Sequence, residues 1–383
     1  MLGENKILGI LGGGQLGKMI LDVSNRWGLK VFVLDSNIEC PSSKLCSKFF
    51  VGDLMDYDSV VQFGENVDLI TIEIENVNVE ALKFLESKGK KVFPQPRVIE
   101  IIQDKSKQKE FYINNGIPTS YFRSCNGIEE LKDLISKGEI SYPFIWKASK
   151  MGYDGYGVNK IFDNKGLEKL SDCHCIVEEL ISIKKELSVM VAIRESGEIL
   201  NYPVVEMEFN KDSNQVEYIL SPAQINQELK IKAENLARNI AEKFKICGII
   251  AVEMFLTNQD EILINEVAPR PHNSYHFSIE GSYTSQFEQF LRAILDLPLG
   301  STKILQNSVM LNLVGEENSK GIVEYKNFDQ IIGIEGVNPH IYGKFETRPN
   351  RKMGHITIIN EDIDLAKRIA KEIKETVIIT TRK

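Results

Sequence analysis

An α/β fold is predicted for this chain from three observations made near its start. An apolar strand, Lys6 to Leu11, runs into Gly12-Gly13-Gly14-Gln15-Leu16-Gly17; a helical segment follows to about Trp27; and a second strand, Lys30 to Leu34, ends in Asp35. Together they make a βαβ opening of Rossmann-like kind. The pattern also fits the dinucleotide fingerprint, G-x-G-x-x-G with an acid about 20 residues on. The same glycines serve equally well to turn the backbone tightly and bring helix to sheet with no nucleotide bound. Strands over Asp68 to Glu75 and Lys91 to Phe93 continue the alternation, which places a first domain up to roughly residue 100.

The chain has 383 residues, 43% of them hydrophobic, which is ample for buried cores and corresponds to two or three domains. Its formal net charge of -8 excludes a general nucleic-acid binder, which carries a basic excess. Anionic ligands must therefore be held by local cations. No apolar run approaches the ~20 residues that span a membrane, and charges and glycines interrupt the amino terminus too early for a signal sequence. A cytoplasmic location is the expectation. The six cysteines, Cys40, Cys46, Cys125, Cys173, Cys175 and Cys247, show neither paired C-x-x-C knuckles nor framework spacing, so reduced, space-filling thiols are expected.

The segment from Gln103 to Thr119 reads as a helix begun near Asp104 and stopped at Gly116, with Pro118 beyond. A new domain starts there. The strand Tyr142 to Ser149 carries Lys147, and a lysine in an otherwise buried strand needs an anionic partner. Met151-Gly152-Tyr153-Asp154-Gly155-Tyr156-Gly157 follows, either a hairpin turn or a flap whose amides close over phosphates. Next comes the strand Cys175 to Leu180, whose edge near Val177 to Leu180 is a candidate for adenine. Glu186, on the strand after it, is a candidate for ribose hydroxyls. Solvated acids at strand ends are the plainer reading of both.

Ala251 to His276 is the most informative stretch. Val252 to Leu256 and Ile262 to Glu266 read as strands joined by the hairpin loop Asn258-Gln259-Asp260-Glu261. Pairing Thr257 with Ile262 sets Phe255 against Ile264 and Glu253 against Glu266. Two carboxylates so placed repel, and a shared proton or a bound cation must compensate unless both face water. Oxygen-only ligands suit magnesium, which takes one or two protein carboxylates and completes its shell with water and phosphate. Asn265 and the run Arg270-Pro271-His272-Asn273-Ser274 adjoin the pair.

Lys105, Lys147, the flap, the IVEEL strand, Glu186 and the pair Glu253 and Glu266 come in the order found in ATP-grasp enzymes, which the chain resembles. More closely, GILGGGQLGKM, KMGYDGYG, NEVAPRPHNS and YGKFETRPNRKMGH together resemble the N5-carboxyaminoimidazole ribonucleotide synthetase family, from Ile7 to about Ile358. The resemblance implies an ATP-grasp fold in three parts: a Rossmann-like domain over 1–103, an ATP-grasp domain over 104–300 with a lid at about 120–182, and a small β-rich domain over 301–383. It implies ATP, bicarbonate and 5-aminoimidazole ribonucleotide as substrates, magnesium as cofactor and a homodimer.

By the same likeness Lys147, Asp154 and Arg270 are catalytic, and Glu253 and Glu266 hold magnesium. Lys105, Lys147, Gly152 to Gly157, Glu178, Glu179, Leu180, Ile181, Glu186, Asn265 and Glu266 bind the nucleotide. Tyr153, Asp154, Arg270, His272, Asn273 and Ser274 hold the imidazole and ribose, and Lys344, Arg348, Arg351 and Lys352 the substrate phosphate, for which arginine forks are suited. Two departures stand out. Tyr275 replaces the glycine of the family's HNSGH, and Tyr202-Pro203-Val204-Val205-Glu206-Met207-Glu208 lacks its Glu-Asn-x-His pattern. The rival readings are a formate-using transformylase of the same fold, an NAD-dependent dehydrogenase and a silent nucleotide-sensing subunit.

Overall fold

The computed structural model describes residues 6–150, 157–210 and 215–382. Five short strands, β1 (Ile7–Leu11), β2 (Lys30–Asp35), β3 (Lys48–Val51), β4 (Leu69–Ile72) and β5 (Lys91–Val92), form a parallel sheet in the order β3-β2-β1-β4-β5. Helices α1 (Gln15–Arg26), α2 (Tyr57–Glu65), α3 (Val79–Ser87) and α4 (Pro96–Ile102) connect and follow them. β1, β2 and β4 are apolar runs because helices cover both faces of such a sheet. The strand order turns back on either side of β1, so a crevice opens beyond the carboxyl ends of β1 and β4. β4 is shorter than the predicted strand from Asp68 to Glu75. It stops at Ile72 because Glu73 turns inward toward the glycine turn.

Helix α5 (Lys105–Asn114) is capped by Asp104, whose side chain accepts the amides of Ser106 and Lys107. A separate antiparallel sheet follows where the lid is expected, and takes that name; it is made of β6 (Phe122–Cys125), β7 (Phe144–Ala148), β8 (Val158–Ile161) and β9 (Cys175–Glu179), in the order β6-β9-β7-β8. The main sheet comprises β10 (Ile183–Ile193), β11 (Ile199–Asn201), β12 (Val205–Phe209), β13 (Val216–Ser221), β14 (Gly248–Thr257) and β15 (Ile262–Ala268). It continues through β16 (Ser308–Val314). Beyond that lie β17 (Gly321–Lys326), β18 (Val337–Ile341), β19 (Glu346–Thr347), β20 (Lys352–Ile359) and β21 (Ile378–Thr381). The strands run β15-β14-β10-β12-β13-β16-β20-β18, with β11 on β10; β19-β17-β21 is a separate small sheet.

β14 is buried on both faces. Ile249 and Ala251 pack with Phe287 and Phe290, while Ile250 and Val252 pack with Ala237 and Ile240. This period-two alternation sandwiches the strand between helices Gln286–Ile294 and Gln227–Phe244. After β15 the chain doubles back onto the far side of the sheet: Asn273 and Asn312 exchange side-chain hydrogen bonds, and the His276 and His355 rings lie 4.8 Å apart. All six cysteines are free thiols. No helix among the described residues is long and apolar enough to cross a membrane.

Candidate active site

β14 and β15 pair one residue out of the predicted register. Phe255 faces Leu263, and Met254 faces Ile264. The pairing resumes with Val252 opposite Val267, so a bulge sets both Asn265 and Glu266 against the single residue Glu253. The two carboxylates are thus brought together by an irregularity and not by the regular ladder. Glu253 is 9% exposed. Burial first, then repulsion from Glu266 and Glu186, pushes its pKa up to about 8. His272 Nε2 stands 3.4 Å from Glu253 Oε1. Oxygen donors from two carboxylates, with room left for phosphate and water, fit magnesium. Among the described residues no group of three or more His, Cys, Asp or Glu is arranged as a metal cage, and magnesium does not require one.

The lid and the body meet at this pair. Lys147 on β7 places Nζ 2.7 Å from Glu178 Oε2 and 3.1 Å from Asn265 Oδ1, to which it donates. Burial works against its charge, but Glu178, Glu266 and Glu253 outweigh that and leave its pKa raised. Lys105, at the first turn of α5, lies 3.7 Å from Glu266 Oε2. Glu186 on β10 has its pKa pushed up to about 7, chiefly by burial.

β9 is not the free edge that the sequence suggested, because β6 and β7 flank it and take its backbone. Glu178 is 3% exposed and points inward, held by Lys147 and by Lys109 at 2.7 Å each. Glu179 donates its amide to Tyr121 O and accepts the Tyr121 amide through its side chain. Glu178 and Glu179 therefore have their side chains engaged within the protein, while Leu180 and Ile181 lie just past the strand. Gly152, Tyr153, Asp154, Gly155 and Tyr156 lie outside the described residues. Gly157, at φ +73, closes the segment by accepting the Ala148 amide.

A second cluster lies across the crevice of the first domain. A cavity of about 900 Å³ is lined by Gly14, Asp35 and Glu73 on one side and by Lys344, Arg348, Arg351 and Lys352 on the other. Lys344, Arg348 and Arg351 belong to the connection between β18 and β20, and Lys352 opens β20. Lys344 donates to Lys352 O and Arg351 to Glu346 O. Arg270 pairs with Glu75 at 2.8 Å, tying the first domain to the segment after β15. His272 Nδ1 and Ser274 Oγ are 2.8 Å apart.

The glycine turn is internally filled. Glu73 accepts the amides of Gly14, Leu16 and Gly17 at 2.9 to 3.1 Å, and Asp35 accepts that of Gly13 at 2.7 Å. A Cβ on Gly14 would stand 2.6 Å from Glu73 Oε1, so the glycines admit a carboxylate. The donors a dinucleotide would need are occupied, which removes the dehydrogenase reading. Neither Glu73 nor Lys109 was singled out from the sequence. An acid within an otherwise apolar predicted strand, and a second lysine one turn after Lys105, were the available signals.

Tyr275 sits in a 3-10 turn, Asn273–Tyr275, and its buried hydroxyl shares its proton between Ser188 O and Pro203 O, each at 2.9 Å. At the second departure, Glu206 is buried and accepts the Gln224 amide.

Residues 5–103 match the ribonucleotide synthetase preATP-grasp domain, 110–287 the ATP-grasp domain and 308–369 the phosphoribosylaminoimidazole carboxylase C-terminal domain. N5-carboxyaminoimidazole ribonucleotide synthase of Bacillus subtilis is 35% identical over 364 residues, 94% of this chain and 92% of that one. The chain belongs to the N5-carboxyaminoimidazole ribonucleotide synthetase family. The member from Thermotoga maritima has a solved structure that superposes with a TM-score of 0.90, at 40% identity over 98% of this chain and 100% of that one. An Aspergillus clavatus structure of the family, in complex with ADP and 5-aminoimidazole ribonucleotide, superposes at 0.88 with 32% identity over 97% and 98%. Phosphoribosylaminoimidazole carboxylase of Saccharomyces cerevisiae is 38% identical over 93% of this chain, which spans only 64% of that longer protein.

Proposed function

We propose that this chain carboxylates the amine of 5-aminoimidazole ribonucleotide, using ATP and bicarbonate, to give N5-carboxyaminoimidazole ribonucleotide in purine biosynthesis. The observation that carries the reading is the meeting of Lys147, Asn265, Glu253 and Glu266 at the lid–body junction. Bicarbonate attacks the γ-phosphate and displaces ADP, and the resulting carboxyphosphate passes its carboxyl group to the amine, which loses a proton as phosphate leaves. Such transfer depends on positioning and on charge placed against the phosphates. Lys105 and Lys147 supply cations, and Glu253 and Glu266 would hold magnesium, which neutralises phosphate charge when bound. Glu186, Leu180 and Ile181 are assigned to the nucleoside.

Arg270, His272, Asn273 and Ser274 adjoin the carboxylate pair and are assigned, with Tyr153 and Asp154, to the imidazole and ribose. Lys344, Arg348, Arg351 and Lys352 face the cavity and are assigned to the ribonucleotide phosphate. The lid excludes water from a mixed anhydride that hydrolyses readily. A homodimer and a cytoplasmic location belong to the same reading, as do the part boundaries at residues 103 and 300.

The test is the fate of label from bicarbonate. It should enter product only when ATP, magnesium and the ribonucleotide are all present, and acid should release it as carbon dioxide, since a protonated carbamate decomposes. Incorporation of labelled formate into an acid-stable amide would establish the transformylase instead.

A further inference from the structure

The established parts of the site leave one buried cation without a task. Lys109, one turn along α5 from Lys105, is 2% exposed, and its Nζ donates to Thr119 Oγ1 at 2.6 Å and Ser120 Oγ at 2.9 Å while pairing with Glu178 Oε1 at 2.7 Å. An ammonium has three protons, and here all three are used. The other oxygen of Glu178 takes Lys147. Thr119 Oγ1 in turn donates a hydrogen bond to Ile264 O, next to the Asn265 that accepts from Lys147. The contacts close a ring: Lys109, Glu178, Lys147, Asn265, Ile264, Thr119 and back. Glu178 and Lys147 are lid residues, and the rest belong to the body.

Charge bookkeeping around this ring decides its use. Glu178 alone would neutralise Lys147, leaving a lysine with little net attraction for a phosphate. With Lys109 present, two cations share one buried carboxylate and one positive charge remains. Lys147 is the partner nearer the candidate nucleotide site, since it also reaches Asn265 beside Glu266. Holding a second buried cation is costly, and burial lowers the Lys109 pKa to about 8. A purely mechanical strut would not require a charge there.

We propose that Lys109 is a positioning residue for ATP: it neutralises Glu178 so that the charge of Lys147 stays available to the phosphates. This deepens the ATP-dependent reading above and rests on Lys147 facing the nucleotide. It does not depend on which acid or amine reacts.

ATP binding followed by calorimetry, without the second substrate, isolates the claim. Lys109→Met should weaken ATP binding by about tenfold or more, while the Michaelis constant for the ribonucleotide changes by less than about twofold. Adding Glu178→Gln to that variant restores the single positive charge and should return ATP affinity to within about threefold of wild type. A merely structural lysine would give a double variant no better than the single one, and that result overturns the proposal. So does unchanged ATP affinity in folded Lys109→Met. If Lys109→Met does not fold alone, the double variant decides: near-wild-type affinity upholds the charge argument and weak binding refutes it. Loss of bicarbonate incorporation with ATP binding intact would count against the carboxylation reading and leave this one standing.

Discussion

Glu73 accepts the Gly14 amide at 2.9 Å, so the anion at the amino end of α1 is the protein's own side chain. Burial pushes the Glu73 pKa up while the amides of Gly17 and Gly14 pull it down. Glu73→Ala should leave three amides unsatisfied and lower stability by roughly 2–4 kcal/mol, read as a fall in Tm. Titration of the wild-type protein with NAD should give no binding heat; saturable binding would reopen the dinucleotide reading.

The bulge opposite Glu253 gives a second prediction. Glu266→Gln replaces a charged oxygen by a neutral amide at a half-exposed position, so folding should be unchanged while magnesium-dependent ATP turnover falls by about 100-fold or more. Circular dichroism and a magnesium titration check both halves. A folded variant with wild-type magnesium dependence would remove Glu266 from the metal site.

Lys147→Ala deletes the cation that the lid presents. Charged hydrogen bonds are worth about 1.5–3 kcal/mol, so ATP affinity should fall by roughly 10- to 150-fold. Calorimetric affinity equal to wild type would take Lys147 out of the nucleotide site.

Glu178 provides the pH dependence. Burial raises its pKa, but Lys147 and Lys109 lower it to about 2, against an ordinary 4.5. Between those values the unfolded chain binds the extra proton, so stability rises with pH in that window. The contribution, on the order of 3 kcal/mol, is complete above about pH 4.5 and disappears as pH falls through about 2. Urea unfolding should therefore show a gap between wild type and Glu178→Gln that is widest near pH 5 and narrows steadily toward pH 3. A gap independent of pH would mean that the two lysines do not hold this carboxylate ionised.

The basic connection yields the last prediction. Arg351→Ala should raise the Michaelis constant for the ribonucleotide by about tenfold or more and change that for ATP by less than about twofold, because a guanidinium is assigned there to a substrate phosphate alone. Impairment confined to ATP would reverse the assignment.

Much of this was legible in the sequence because it is local. The Asp104 cap, the βαβ opening and the hairpin loop at Asn258 to Glu261 are set by neighbours a few residues apart. The register of β14 and β15 was not, since the bulge at Asn265 and Glu266 depends on what packs around it. Nor was the inward turn of Glu178, which depends on β9 being central in the lid. That placement is decided by β6, some 50 residues earlier. Glu73 and the turn it fills are likewise about 60 residues apart in the chain, and no periodicity links them.

The unbroken run of hydrogen-bonded strands from β15 to β18 has a consequence for substrate choice. The carboxylate pair sits on β14 and β15, and the arginines sit on the connection between β18 and β20, so both are mounted on one stiff frame. The lid strands β6 to β9 carry neither group. On the proposed assignment, the span between them acts as a fixed gauge: a ligand whose phosphate rests on the arginines presents its amine at one set distance from the carboxylate pair. An aminoimidazole lacking the ribose phosphate offers the arginines nothing to hold. Lengthening the β18–β20 connection should therefore alter which ligands are accepted without changing the chemistry done on them.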